Sequence, residues 1–292
     1  MILRSWLIEK TDIMHRNERE NEVFILFSTH SLQPNILNTM WRWPVLANKK
    51  AASAVQKWKV YGMHSKLIAL AARGGPNPNE NPSLYTAIEK AKKDSVPKDV
   101  IDKAIRRGSG LDKDAADIED ITYEGYAAGG VAVIARTLTD NRNRTASSMR
   151  SYFSRNGGNL GETGSLSSHM FKYRGVITVN SSDISEDIII ESGADDYMTV
   201  ESETQLIVLK ENFAAVLDFL KTKSISVNSS GFEYLPTLES EITDFDQGVK
   251  VMKLLSDLDD DDDVEKVWTN GVFDDILREK IETFIASHTF RS

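Results

Sequence analysis

The stretch Gly129–Gly158, GGVAVIARTLTDNRNRTASSMRSYFSRNGG, decides how the central part of the chain is organised. Its first third is rich in apolar and β-branched residues, which predicts a buried strand over 131–138. The polar run that follows contains residue types that cap helices, so a helix is predicted over 141–156, and Gly157 and Gly158 end it. A strand that passes directly into a helix indicates a domain of mixed secondary structure.

Strand and helix signals continue on both sides of this stretch. An upstream strand is predicted around Ile121 and Tyr123, before a glycine-rich turn over 125–130. Downstream, the predicted elements are a strand at Met170–Val179, a helix at Glu186–Ser192, a strand at Gln205–Leu209, a helix at Phe213–Thr222, a short strand at Phe232–Leu235, a helix at Phe245–Leu258 and a strand at Val264–Thr269. The intermixed elements predict an α+β fold.

The N-terminal third differs, because only helical patterns follow residue 40. A helix is predicted from Ala47 to Arg73, with Gly62 as a possible break and Trp58 as a core residue. A second helix is expected after Asn81-Pro82, a capping residue followed by a first-turn proline. A third spans Pro97–Gly108. Together they predict a small helical bundle.

This helical segment is basic in an acidic protein. The whole chain carries a formal charge of -9, yet Trp41–Asp112 contains fourteen Lys and Arg and only six Asp and Glu, a net charge of +8. The remainder therefore carries -17. Such a distribution favours a polyanionic partner for the basic segment.

Several longer motifs together resemble one known family. They are KKAAS at Lys49–Ser53, AARGGPNPNENP at Ala71–Pro82, VPKDVIDKAIRRG at Val96–Gly108, LTDNRNRTA at Leu138–Ala146 and GGNLGETGS at Gly157–Ser165. In this order they are similar to motifs of the YebC-like family, which includes the mitochondrial translational activator of cytochrome oxidase. The resemblance covers Met40 to about Asn270.

The resemblance implies an N-terminal helical bundle domain followed by two α/β domains, the third inserted into the second. The expected division is an extension at 1–39, a basic helical domain at 40–116, an α/β domain at 117–178 plus 240–272, an inserted α/β domain at 179–239 and a C-terminal extension at 273–292. The functional protein is expected to begin near Met40. The predicted ββαβ unit at 117–178 lacks a closing helix and strand, which 245–270 can supply.

The resemblance also implies a non-catalytic regulator of gene expression. A translation factor associated with the ribosome or RNA is the favoured interpretation, and a DNA-binding transcriptional regulator is the alternative. A protein-binding adaptor that acts through the acidic domains also stays open. The expected partner is ribosomal RNA or another nucleic acid, with neither a membrane nor a small-molecule substrate.

Candidate nucleic-acid contacts are the basic side chains of the helical segment and of the 140–145 turn. They are Lys49, Lys50, Lys57, Lys59, Lys66, Lys90, Lys92, Lys93, Lys98, Lys103, Arg106, Arg107, Arg142 and Arg144. Solvated helix faces and an ordinary helix cap are the alternatives for these residues. Trp58 between Lys57 and Lys59 could also stack on bases, although a core position is favoured.

The sequence gives little support for a catalytic, metal-binding or nucleotide-binding site. The chain has no cysteine, which excludes disulfides, thiolate metal sites and cysteine nucleophiles. The five histidines are scattered, and 157–165 lacks the Gly-Lys-Ser/Thr ending of a phosphate-binding loop, so a simple turn is expected there. The aspartates at 259–263 lack the glycine and closing glutamate of a calcium loop, so a solvated loop is expected. No catalytic residue, metal site or cofactor is predicted.

The chain is expected to lie in the cytoplasm. Its longest apolar runs, such as Val131–Ala135, fall far short of the roughly 20 residues that span a bilayer. The acidic residues of 1–39 argue against a transit peptide, and mitochondrial import by an atypical leader is the alternative.

Overall fold

A computed structural model of the protein describes residues 54–112 and 115–289. The predicted extension at 1–39, the beginning of the first predicted helix, and Lys49 and Lys50 lie outside the described residues. In the part of the chain that is described, no helix is both long and apolar enough to cross a membrane.

Eight α-helices and ten strands make up the described residues. The helices are α1 (Ala54–Ala72), α2 (Pro82–Lys93), α3 (Lys98–Gly108), α4 (Arg142–Arg155), α5 (Glu186–Ser192), α6 (Phe213–Thr222), α7 (Phe245–Asp260) and α8 (Asp275–Thr289). The strands are β1 (Glu119–Tyr126), β2 (Ala132–Thr139), β3 (Asn159–Leu160), β4 (Phe171–Asn180), β5 (Asp196–Val200), β6 (Glu203–Val208), β7 (Val227–Pro236), β8 (Ser240–Ile242), β9 (Val264–Thr269) and β10 (Gly271–Phe273). The α+β class with N-terminal helices before β-rich domains is confirmed.

The helical domain packs α2 and α3 against one side of α1. Asn81 caps α2 by accepting a hydrogen bond from the Leu84 backbone at 3.1 Å. Ile68 and Ala72 of α1 share one apolar core with α2 and α3. Helix α1 runs through Gly62 without interruption, so the possible break there is wrong.

The other side of α1 lies on the β-sheet region. Ala69 packs against Ile118 and Leu138, which places α1 between the rest of its own domain and strand β2. Helix α3 approaches α1 so closely at Gly108 that an added Cβ atom would lie 1.9 Å from the Ala69 carbonyl oxygen. Glycine is therefore required at this helix end.

The second domain is built on an antiparallel sheet in the order β3-β1-β2-β9. Strand β2 is central and is buried along almost all of its length, and α4 and α7 contribute Met149, Phe153 and Leu254 to the core against it. Strand β9 closes the sheet beside β2 although it follows about 125 residues later in the chain, and the registers put Ile134 opposite Trp268.

The second sheet has the order β5-β6-β4-β7, and its chain order βαββαβ is that of a split βαβ fold. Helices α5 and α6 pack on the sheet face that carries Ile177, Leu206 and Val208. The Trp268 indole of β9 donates a hydrogen bond to Glu233 of β7 at 2.7 Å, which joins the two sheets.

Strand β4 corrects one expectation about the 117–178 unit. Its prediction as the last strand of that ββαβ unit is wrong, because Gly175 pairs with Val208 of β6 and Tyr173 pairs with Tyr234 of β7. Strand β4 therefore lies inside the second sheet, where β6 and β7 satisfy the backbone hydrogen-bonding groups of both its edges.

The segment predicted as a C-terminal extension is folded against the second domain. Strand β10 pairs in parallel with β8, and α8 lies on α7 through the buried side chain of Ile281. Gly248 makes room for this contact, since an added Cβ atom would lie 2.5 Å from Ile281. These elements were not predicted.

Candidate nucleic-acid interface

The turn between α2 and α3 brings four lysines together. The Asp94 amide donates to the Lys90 carbonyl at 3.1 Å and the Val96 amide donates to the Ala91 carbonyl at 2.9 Å, which closes the turn tightly. Lys90, Lys92 and Lys93 occupy the last turn of α2, and Lys98 begins α3.

Helix α1 adds two more lysines at the same end of the domain. His64 of α1 is bonded to Asp94 of the turn, with 2.6 Å between Nε2 and Oδ2. At the opposite end of the domain, the Asn81 side chain donates to the Ala71 carbonyl at 2.8 Å, so α1 and α2 run antiparallel. Lys57 then lies about 10 Å along the helix axis beyond His64, at a rise of about 1.5 Å per residue. We call Lys57, Lys59, Lys90, Lys92, Lys93 and Lys98 the basic corner.

Most charges of the basic corner are free to meet an external anion. Lys57, Lys90, Lys93 and Lys98 are exposed, and none of them has a carboxylate within ion-pair distance among the described residues. Lys92 donates to Glu89 at 2.8 Å, and this hydrogen bond raises the pKa of Lys92. Because exposed pairs of this kind contribute little, a phosphate can replace the glutamate.

Three predicted nucleic-acid contacts instead have partners inside the protein. The ammonium group of Lys66 lies 2.6 Å from a carboxylate oxygen of Asp263, and only 16% of the Lys66 side chain is exposed. The Arg144 guanidinium lies 2.8 Å from the same carboxylate. Arg107 donates to the Ala116 carbonyl at 2.8 Å and to Asp140 at 3.2 Å.

Asp263 is the centre of this network. Its carboxylate also accepts hydrogen bonds from the hydroxyls of Thr145 at 2.8 Å and Thr139 at 3.1 Å. Burial by itself raises the pKa of Asp263, but the bonds from Lys66, Arg144 and Thr145 outweigh burial and lower this pKa to about 2. The carboxylate is therefore ionised at neutral pH.

The network connects four elements of two domains. Lys66 comes from α1, Thr139 from β2, Arg144 and Thr145 from α4, and Asp263 precedes β9. We call Lys66, Thr139, Arg144, Thr145 and Asp263 the interdomain clamp. The expectation of a solvated loop at 259–263 is wrong for Asp263, which is 6% exposed. The side chains that surround Asp263 are far away in the sequence, so a local pattern could not predict its burial.

The start of α4 is an ordinary helix cap, and beside it Arg142 has no ion-pair partner among the described residues. Asn141 accepts a hydrogen bond from the Arg144 amide at 3.1 Å. Arg144 is engaged by Asp140 as well as by Asp263. Arg142 is exposed and lies outside the basic corner. Lys103 and Arg106 are also exposed, further along α3.

The glycine-rich stretch at 157–165 contains a turn, as predicted, and the loop at 164–167, which overlaps its end, binds an internal anion. The Glu124 carboxylate accepts hydrogen bonds from the amides of Gly164 at 2.9 Å and Leu166 at 2.6 Å, and from the Ser167 hydroxyl. Burial raises the pKa of Glu124, but these hydrogen bonds more than offset burial and lower it. The loop amides are thus already satisfied by a side chain that sequence reasoning missed.

Trp58 was expected in the core, and that expectation is wrong. Its side chain is 72% exposed, because the first turns of α1 extend past the end of α2 and no other described element packs against that face. The indole lies edge-on to Tyr61, with 6.3 Å between ring centroids. An aromatic ring therefore stands at the basic corner.

Two family models match this chain. The TACO1/YebC protein N-terminal domain matches residues 41–111, and the TACO1/YebC second and third domain matches residues 118–271. The chain belongs to the TACO1/YebC family. The basic corner therefore lies in the N-terminal domain of a TACO1/YebC protein, and the interdomain clamp joins that domain to the next.

Related TACO1/YebC proteins carry names that describe regulators. A "probable transcriptional regulatory protein" of Clostridioides difficile (strain 630) is 42% identical over 231 residues, which is 77% of this chain and 96% of the relative. One of Mycobacterium tuberculosis (strain H37Rv) is 39% identical over 242 residues, covering 81% of this chain and 96% of the relative. These names describe regulators and not enzymes.

A solved structure shares the fold. A conserved hypothetical protein from Aquifex aeolicus superposes with a TM-score of 0.69 at 37% sequence identity, over 78% of this chain and 95% of that chain. Among the described residues of this TACO1/YebC protein, no group of three or more His, Asp or Glu side chains is arranged to hold a metal ion.

Proposed function

We propose that this protein is a non-catalytic regulator of gene expression that binds ribosomal RNA or another RNA through the basic corner. The observation that supports this proposal best is the placement of six lysines at one end of the helical domain of an acidic protein. Phosphate contacts from lysine supply most of the affinity in such interfaces. We expect the protein to act in the cytoplasm.

The outward face of α3 argues for RNA over duplex DNA. Asp99 and Asp102 lie beside Lys103 and Arg106 on this face, and Lys103 is 3.9 Å from Asp99. A helix inserted into the major groove with two carboxylates on its outer face would bring negative charge against the phosphates. The basic corner instead presents lysines from three helices, which suits the irregular backbone of folded RNA.

DNA-binding regulation of transcription is the second candidate. It is supported by the names of the bacterial relatives, which describe probable transcriptional regulators. In this case the same lysines would contact duplex phosphates.

Ribosome co-sedimentation distinguishes the two candidates. The test variant reverses Lys90, Lys93 and Lys98 to glutamate, and the matched control reverses the exposed Lys172, Lys210 and Lys253 of the other domains. If about six phosphates are contacted, raising salt from about 50 to about 200 mM should weaken wild-type binding on the order of a thousandfold.

We expect the corner variant to lose ribosome binding and the control variant to keep it. Loss of binding to duplex DNA alone, with unchanged co-sedimentation, would favour transcriptional regulation. Wild-type protein that does not co-sediment even at low salt would refute the ribosomal proposal.

A further inference from the structure

Trp58 is the most exposed large apolar side chain in the described part of the chain. Its exposed fraction is 72%, and Tyr85 of the same domain is 55% exposed. Exposing an indole to water forfeits the stabilisation that burial of so large a ring would provide. Ile190, Leu238 and Ile276 are almost as exposed, so exposure alone does not mark a binding surface, and the surroundings of Trp58 carry the argument.

The Trp58 indole is held in its orientation by Tyr61. Tyr61 lies one turn further along α1 and packs against the core that α1 forms with α2 and α3. The two rings are inclined at 74° with their centroids 6.3 Å apart, a favourable edge-to-face geometry. Trp58 is thus oriented by a residue that the core itself fixes, which reduces the entropy lost when a partner binds.

Cations flank the ring on both sides. Successive residues on a helix are about 100° apart, so Lys57 and Lys59 project to either side of Trp58. Lys57 is exposed and Lys59 is half-buried. The remaining lysines of the basic corner lie at the same end of the domain. Two carboxylates at this end of the domain already have partners, because Asp94 is bonded to His64 and Glu89 to Lys92.

We propose that Trp58 stacks on an unpaired base of bound RNA while the lysines beside it hold the flanking phosphates. This inference rests on the proposed function and specifies its substrate class, namely unpaired nucleotides. A base within an A-form helix is already stacked on both faces, and the ring cannot reach it. A looped or single-stranded segment offers a free base and places a phosphate on each side of it.

The experiment uses the full chain and two RNA probes in a fluorescence-anisotropy titration. One probe is a labelled single strand of about 12 nucleotides, within the usual site size of such interfaces. The other probe is the duplex that this strand forms with its complement. The variants are Trp58→Ala and Trp58→Phe, and the control is Tyr197→Ala, an exposed aromatic residue of strand β5 outside the helical domain.

Trp58→Ala should weaken single-strand binding on the order of tenfold, because a base stacked on an aromatic ring typically contributes this much. Trp58→Phe should keep most of the affinity. Duplex binding and the slope of affinity against salt should stay unchanged in both variants, since the phosphate contacts remain. Tyr197→Ala should behave as wild type.

Three other outcomes would contradict the stacking of Trp58 on an unpaired base. Equal losses on single strand and duplex, or no loss with Trp58→Ala, would overturn the stacking role while the salt-dependent binding of the wild type still supports the proposed function. Wild-type protein that binds neither probe would remove the proposed function and the inference together. An unchanged thermal melt of Trp58→Ala serves as the folding control.

Discussion

The interdomain clamp predicts a large stability loss in Asp263→Asn. The carboxylate side chain is 8% exposed and holds Lys66, whose side chain is 16% exposed. The substitution keeps the shape but removes the charge, which leaves the Lys66 ammonium poorly solvated. Removing one partner of a buried ion pair typically costs about 3 to 5 kcal/mol. Because Arg144 is half-exposed and can turn to water or Asp140, we expect the lower end, about 3 kcal/mol.

The pH dependence of this loss follows from the lowered pKa. An unfolded aspartate titrates near 3.9 and the folded Asp263 near 2. The contribution of the ionised form is therefore fully present above about pH 5 and is lost as pH falls through the folded value. Integrated over this interval, the shift corresponds to about 2 to 3 kcal/mol, which agrees with the estimate from the ion pair.

Urea unfolding followed by circular dichroism measures both effects. The free-energy difference between wild type and Asp263→Asn should be about 3 kcal/mol at pH 7 and should shrink steadily from pH 5 to pH 2. Asp262→Asn is the matched control, since Asp262 is exposed and the same charge is removed, and it should change stability by less than about 0.5 kcal/mol. A difference for Asp263→Asn that is equally small, or that stays constant down to pH 2, would refute the reasoning.

Three further predictions follow from other contacts. Arg107→Glu should lower the melting temperature by several degrees, because Arg107 joins α3 to the second domain. The control variant Arg106→Glu should leave the melting temperature unchanged. Differential scanning fluorimetry measures both. Glu124→Gln should destabilise by about 2 kcal/mol, since its amide would set donors against the loop amides, and an unaffected thermal melt would contradict this. A fragment of residues 168–238 should give the circular dichroism spectrum of a folded βαββαβ domain. A fragment of residues 179–239 should be unfolded, because it lacks most of the central strand β4. The reverse result would support the domain division predicted from the sequence.

The apolar periodicity of the sequence predicted the helices and strands in which this periodicity is strong. Helix α6 at Phe213–Thr222 and strand β9 at Val264–Thr269 have the bounds that the sequence predicted. Strands β3, β5, β8 and β10 were not predicted, because short edge strands with mixed polarity carry little periodic signal. Helix α8 was missed because the resemblance ended before it.

The sequence by itself determined the family, the α+β class and the basic helical domain in an acidic chain, whereas the packing of three helices decided which six lysines form the basic corner. The first three properties depend on short stretches of sequence or on the total charge and composition of a segment, and both can be read without knowing the tertiary structure. Only the tertiary structure decided which cations are free. Lys66 and Asp263 are 197 residues apart, so no local pattern distinguishes a lysine that clamps two domains from one that faces solvent. The same holds for Trp58, because burial depends on whether another element covers a helix face, and α2 ends before it reaches this residue.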